Sequence, residues 1–261
     1  MDAFYEQLDD DRYRATHHTA GPWDARAQHG GPPTALLAHA LEHGTPARPE
    51  LRLARVTVEL MRPAPVADLT TTARVLRSGR RTELLEAELL AEGVPVLRMT
   101  ASRVAASDGA VPAVPGNSKP PPLPPPGDQI QWPGAHLDGY LSATEWRPAS
   151  GSPAEPGPAV VWIRPRIPLV AGHAMSAAER ALLVADSGSG VSGALDVREW
   201  TYLNSDITVL LHRHPVGEWV CLDSATVIDG DGIGCSHTRL SDETGGLGHA
   251  LATLVVAPRT G

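Results

Sequence analysis

Apolar residues at Leu36, Leu37, Ala40 and Leu41 fall on one helical face and leave His39, Glu42 and His43 for the remaining surface. Pro32 and Pro33 suit first helical positions, where a missing N–H would be unpaired in any case, and Gly44 suits the stop. The stretch Gln28–Gly44 therefore predicts an amphipathic helix that something must wrap. After it the period changes to two. Val56, Val58 and Leu60 alternate with Thr57, Glu59 and Met61 in a strand over Leu51–Arg62. Three more strands follow, through Leu69, Thr71, Ala73 and Val75, then over Thr82–Leu90 and Val94–Val104, with turns at Ser78-Gly79 and Glu92-Gly93. With a short strand at Tyr13–Thr19 ahead of the helix, the first half reads as one helix and a four-stranded meander.

The same order begins again near Val160. A strand over Val160–Ile167 precedes Ser176-Ala-Ala-Glu179, a capping box that opens a helix through Ala181, Leu182, Leu183 and Ala185 to Gly188. A long strand over Trp200–His212 then sets Leu203, Ser205, Ile207, Val209 and Leu211 on one face, with Asn204, Asp206, Thr208 and His212 on the other. Glu218–Ile228, Ile233–Leu240 and Leu247–Val256 complete a second meander. Leu60, Arg62 and Pro63 match Leu211, Arg213 and Pro215 with one residue added, so that Val56, Val58 and Leu60 overlay Ile207, Val209 and Leu211. Four antiparallel strands and one helix leave a sheet edge unpaired, and joining two copies edge to edge covers both. The expectation is an α+β fold: two tandem repeats, one continuous sheet, two wrapped helices.

Between the repeats, 107–131 is rich in proline and lacks either period, which predicts an extended spacer with polyproline II character rather than a recognition motif. The domain expectation is a first repeat over 1–106, the linker over 107–131 and a second repeat over 132–261. A length of 261 residues with 42% hydrophobic and 20% charged content provides for a sizeable core. The formal net charge of -8 argues against a nucleic-acid partner. The acidic N-terminus lacks the basic start and apolar run of a signal peptide, and no apolar run is long enough to span a membrane, so a cytoplasmic location is expected. Cys221 and Cys235 predict neither zinc site nor disulfide and read as small buried hydrophobes. His212 and His214 have no third ligand in view, so no metal or other cofactor is expected.

Candidate chemistry begins at Gly30 and Gly31, where missing side chains admit close approach to the main chain and the helix dipole adds positive potential. His29 is placed to assist by hydrogen bonding. Asp206 is set apart from the apolar face of its strand, and Asp186, at the end of the second helix, is a second candidate whose charge opposes the local dipole. No Gly-x-Ser-x-Gly elbow occurs, which disfavours a covalent serine mechanism.

These residues together resemble the double-hotdog acyl-CoA thioesterases, the thioesterase II group and its actinobacterial relatives, over nearly the whole chain. The likeness rests on Trp23, the run QHGGPPTALL from Gln28, Arg62-Pro63, and Met99–Arg103 in the first half. In the second half it rests on Leu203–Trp219, LNSDITVLLHRHPVGEW, the DGIG turn and TRLSDETGGLG. The resemblance implies a double hotdog fold and hydrolysis of an acyl-CoA or of an acyl group on a carrier protein. It also implies an aspartate acting on water with a hydroxyl residue and a glutamine. The aspartate carries over onto Asp206 and the hydroxyl onto Thr226 in preference to Ser224, whereas Ala252 stands where the glutamine is expected. The expected division of labour gives Asp206 the general base and the backbone N–H groups of Gly30 and Gly31 the developing oxyanion, with the pocket between the halves. The alternative is a non-catalytic acyl-CoA binding or scaffold protein; a hotdog dehydratase is disfavoured because no paired Asp and His has its spacing. A homo-oligomer is a further possibility.

Overall fold

The computed structural model describes residues 2–107, 109–114, 119–127, 130 and 132–259. In the first half β1 (Tyr5–Gln7) and β2 (Arg12–Ala15) lead to helix α1 (Gly31–Gly44), then β3 (Leu51–Leu60), β4 (Asp68–Arg77), β5 (Thr82–Ala91) and β6 (Val94–Ala105). The second half holds α2 (Tyr140–Ala143), β7 (Thr144–Ser150), β8 (Ala159–Pro165), α3 (Ala177–Ala185), α4 (Gly188–Val191), β9 (Trp200–Asn204), β10 (Asp206–Leu211), β11 (Val220–Ile228), β12 (Ile233–Asp242) and β13 (Gly245–Pro258).

The thirteen strands of the described residues form one sheet in the order β1-β2-β4-β5-β6-β3-β10-β13-β12-β11-β8-β7, with β9 added on β13. From the centre outward each half repeats the other: β3 matches β10, β6 matches β13, β5 matches β12, and β4 matches β11. The halves join through β3 and β10, where Thr57 stands opposite Thr208 and their hydroxyls lie 3.1 Å apart. Val56 faces Val209 and Val58 faces Ile207 across this seam, as the overlay of the two runs requires for a strand meeting its own counterpart antiparallel. The double hotdog expectation is met: α1 and α3 lie against each other inside the curve of the sheet, and Leu36, Leu37, Leu182 and Leu183 are fully buried.

Several elements differ from the sequence expectation. The strand expected over Tyr13–Thr19 ends at Ala15, and His17–Thr19 form a 3-10 turn. Strands β1 and β7 carry too few residues of clear alternation to stand out, and they are held by the sheet edges. His39 is buried at 2% exposure, because α1 is covered on more sides than one apolar stripe accounts for. Cys221 is buried as expected, but Cys235 is exposed.

The long strand over Trp200–His212 is interrupted at Ser205. Asn204 pairs with Leu254 and Thr208 with Leu251, so one extra residue is inserted between them and side-chain parity reverses. Below the bulge Tyr202 is buried and Leu203 is 52% exposed; above it Ile207 and Val209 are buried. Leu203 is thereby turned outward, against expectation, and Asn204 inward. The first half has the same device. Leu53 pairs with Arg103 and Arg55 with Ser102, which places a bulge at Ala54, the counterpart of Ser205.

The proline-rich span lies partly outside the described residues. Its described part forms neither helix nor strand, and it is held against the second half: Leu123 packs with Trp162, Trp219 and Cys221, and Pro124 O accepts from Arg147 Nη1 at 3.0 Å.

Candidate active site

The start of α1 is built for close approach. Gln28 anchors the entry, accepting from Tyr5 Oη at 2.5 Å and donating through Nε2 to Pro65 O at 2.7 Å. Gly30 is the N-cap, without a capping side chain, and prolines occupy the first turn. A Cβ on Gly31 would stand 2.0 Å from Leu183 O, and one on Gly30 2.8 Å from an Asp186 carboxylate oxygen. The two glycines thus serve different ends: Gly31 lets α1 and α3 touch, and Gly30 lets a carboxylate from the other half lie over the N-terminal end of α1.

Asp186 is placed there by the end of α3. Tyr140 Oη donates to Leu183 O at 3.0 Å and lies 2.9 Å from Ser187 Oγ, which satisfies a helix-end carbonyl and pins the corner between α3 and α4. Beneath that corner a ladder of hydroxyls on the inner face of the sheet supports α4. Thr226 Oγ1 lies 2.8 Å from Ser192 Oγ, and Ser224 Oγ lies 2.9 Å from Thr238 Oγ1. A Cβ on Gly188 would stand 2.2 Å from Thr238 Oγ1, so α4 rests directly on the ladder.

The carboxylate of Asp186 is met from both halves. Asn204 Nδ2 donates to Asp186 Oδ1 at 2.6 Å, and Ser189 Oγ donates to Asn204 Oδ1 at 3.0 Å, which fixes the amide. His29 Nδ1 lies 3.3 Å from Asp186 Oδ2 and also accepts from the Gly31 N–H at 3.1 Å. Its ring stacks on Tyr140 with centroids 3.8 Å apart. Burial lowers the His29 pKa from its usual value while the Asp186 charge opposes, so the ring carries one proton. On Nδ1 that proton is donated to Asp186 and the Gly31 N–H is released; on Nε2 it leaves Nδ1 to accept from Gly31. The negative charge belongs at this place, since the positive end of the α1 dipole faces it.

The structure brings His29, Gly30 and Gly31 together with Asp186 and Asn204, but it does not bring Asp206 to them. Asp206 begins β10 on the face opposite to buried Ile207, stands across from exposed Glu59, and accepts from Ser205 Oγ at 3.1 Å. The bulge at Ser205 is the reason: it turns Asn204, and not Asp206, toward the helices. Thr226 faces inward but lies against Ser192, the C-cap of α4, rather than against the carboxylate. Asn204 carried no signal in the alternation, because an unbroken strand places it outward. Ala252, at the position where glutamine is expected, is buried among Tyr202, Leu254 and Val256. Two clefts lie elsewhere. One of about 460 Å³ is lined by Arg52, Leu53 and His214, and one of about 570 Å³ by Trp132, Leu141 and Trp146. The second lies beyond Tyr140, whose ring meets Trp146 edge-on at 5.9 Å.

A helix pair inside one doubled antiparallel sheet is the architecture of a double hotdog. The family model of the acyl-CoA thioesterase N-terminal domain matches residues 19–104, and that of the acyl-CoA thioesterase C-terminal domain matches residues 115–253. The chain belongs to the acyl-CoA thioesterase family. Among curated proteins none is similar enough in sequence to match. Among solved structures, acyl-CoA thioesterase II TesB2 from Mycobacterium marinum shares 17% identity at a TM-score of 0.67 over 98% of this chain and 95% of that one. A protein described as a candidate thioesterase from Novosphingobium aromaticivorans shares 21% at 0.71, over 98% and 99%. A conserved protein with a hot dog fold from Alicyclobacillus acidocaldarius shares 16% at 0.69, over 98% and 96%. At these identities the structural likeness establishes the hotdog fold. Among the described residues no helix is long and apolar enough to cross a membrane.

Proposed function

We propose that the protein hydrolyses acyl-CoA thioesters with Asp186 as the general base. The observation that supports this most directly is the seating of the Asp186 carboxylate over Gly30 at the N-terminal end of α1, held by Asn204 and beside His29. A thioester is already electrophilic and needs only a polarised carbonyl and a delivered water. Asp186 takes a proton from water as its oxygen attacks the thioester carbon. Charge gathers on the carbonyl oxygen, which the α1 dipole and the Gly31 N–H stabilise once the His29 proton sits on Nδ1 toward Asp186. Collapse expels the thiolate, which takes up the proton, leaving the free acid and CoA thiol. Asn204 supplies the amide that the resemblance expects from a glutamine at the position of Ala252, and Thr226 acts at a distance by holding α4.

The test is thiol release from acyl-CoA substrates of graded chain length, with Asp186→Asn and Asp206→Asn measured in parallel. Asp186→Asn is expected to lower turnover on the order of 10²-fold or more, the usual scale for losing a general base, with Asp206→Asn within about threefold of the parent. The reverse pattern returns the base to Asp206. No release of thiol from any acyl-CoA by the folded parent, with binding retained, favours the acyl-CoA binding protein instead, and turnover of acyl-carrier substrates alone moves the substrate class to those.

A further inference from the structure

At the other end of the helix pair three imidazoles converge. His39 and His43 lie one turn apart on α1, and His173 comes from the loop ahead of α3. One ring nitrogen of each lies within 4.8 Å of those of the other two. His39 Nδ1 is 2.8 Å from Glu179 Oε1, and His43 Nδ1 is 2.9 Å from the His39 carbonyl oxygen. A carboxylate and a carbonyl can only accept, so in both rings Nδ1 is the donor, and the neutral ring then has its lone pair on Nε2. Metal-ligating histidines are oriented in this way, by an outer carboxylate or carbonyl on the nitrogen that does not bind.

The support is itself fixed. Glu179 Oε2 accepts the Ser176 N–H at 2.7 Å within the capping box of α3, and the Glu179 side chain is 1% exposed. His39 forms a buried floor, while His43 and His173 form an exposed rim. We propose that His39, His43 and His173 bind one zinc-class divalent transition ion, with the fourth position open to water. Three imidazoles suit zinc, nickel or copper, whereas calcium and magnesium require oxygen ligands. Nitrogens bound at about 2.0–2.1 Å around a tetrahedral ion stand roughly 3.3 Å apart, so the two rim rings rotate inward while His39 stays in place. At 1.5 Å of rise per residue, His43 lies about 18 Å along α1 from Gly31, which makes this site separate from the carboxylate centre.

The test uses the full chain, freed of metal by chelation. Titration with Co²⁺ is followed by visible absorption, and titration with Zn²⁺ by competition against a chelating dye. The expected result is one ion per chain at micromolar affinity or tighter with a tetrahedral Co²⁺ spectrum, and a loss of at least about tenfold in affinity in each of His43→Ala and His173→Ala. Both variants change exposed side chains and leave the folded state measurable. His249→Ala serves as the control, since His237 and His249 stack with centroids 5.4 Å apart elsewhere on the sheet. Millimolar binding, affinity unchanged in both rim variants, or loss of binding in His249→Ala overturns the proposal.

Discussion

The two ends of the α1–α3 pair are built from the same fold and carry different chemistry. At one end the start of α1 meets the end of α3; at the other, the start of α3 meets the end of α1. The start of α3 is closed: Ser176 Oγ accepts the Glu179 N–H at 3.2 Å while Glu179 returns the bond to the Ser176 N–H. The start of α1 is open, with no capping side chain, two prolines that lack donors, and a Gly31 N–H held only by His29. The difference that the proposed function uses is access: Gly30 and Gly31 leave the main chain at the start of α1 without side chains, whereas the start of α3 is covered by its own capping box. The helix ends are closed by different means as well. Arg103 Nη2 donates to Leu41 O at 2.8 Å beneath α1, and Tyr140 serves α3. On the sheet, the inward residue beside the bulge is Leu53 in one half and Asn204 in the other. One repeat has an apolar side chain where its counterpart has an amide.

The largest effect is expected at the contact between helices. Gly31→Ala places a methyl 2.0 Å from Leu183 O, a backbone atom that cannot turn aside. Urea denaturation is expected to show a loss of about 2–3 kcal/mol, the upper part of the range for overpacking. A stability equal to the parent would mean that the helices are further apart than described. Next, Asn204→Leu makes the second half like the first at this position. Turnover is expected to fall about tenfold, from loss of one hydrogen bond to a charged group, with a loss of about 1–2 kcal/mol in stability because the buried Asp186 carboxylate loses a donor; full activity would remove Asn204 from the site. Third, Glu179→Gln weakens the closed end and is expected to cost about 1 kcal/mol in stability while kcat stays within about twofold. A collapse of kcat in this variant would show that the two ends are coupled.

The smallest effect is on pH dependence. Burial holds the His29 pKa below its usual 6.5, against the Asp186 charge. The unfolded chain therefore binds this proton more readily, so stability from the neutral ring is present above about 6.5 and is lost as pH falls through the folded value. The fall in denaturation midpoint between about pH 7.5 and pH 5.5 is expected to be shallower in His29→Gln than in the parent. Equal slopes would mean that the ring is exposed to solvent.

The sequence alone determined the repeat, and with it most of the fold. The helix limits at Gly31 and Gly44 follow from proline and glycine chemistry, and the capping box at Ser176 is a local pattern that closes as written. The match of Val56, Val58 and Leu60 with Ile207, Val209 and Leu211 identified the repeat, and it is the structure that pairs these two runs with each other at the seam. Tertiary structure alone decided which polar residues meet. The bulge at Ser205 depends on pairing with β13 and reverses parity for everything before it, so Asn204 turns inward and Asp206 outward although the strand pattern assigns both to one face. Asp186 stands far from Gly30 in the chain and His173 far from His43. Alternation and helical period describe neighbours along one element, and contacts between elements depend on how the two repeats close around their helices.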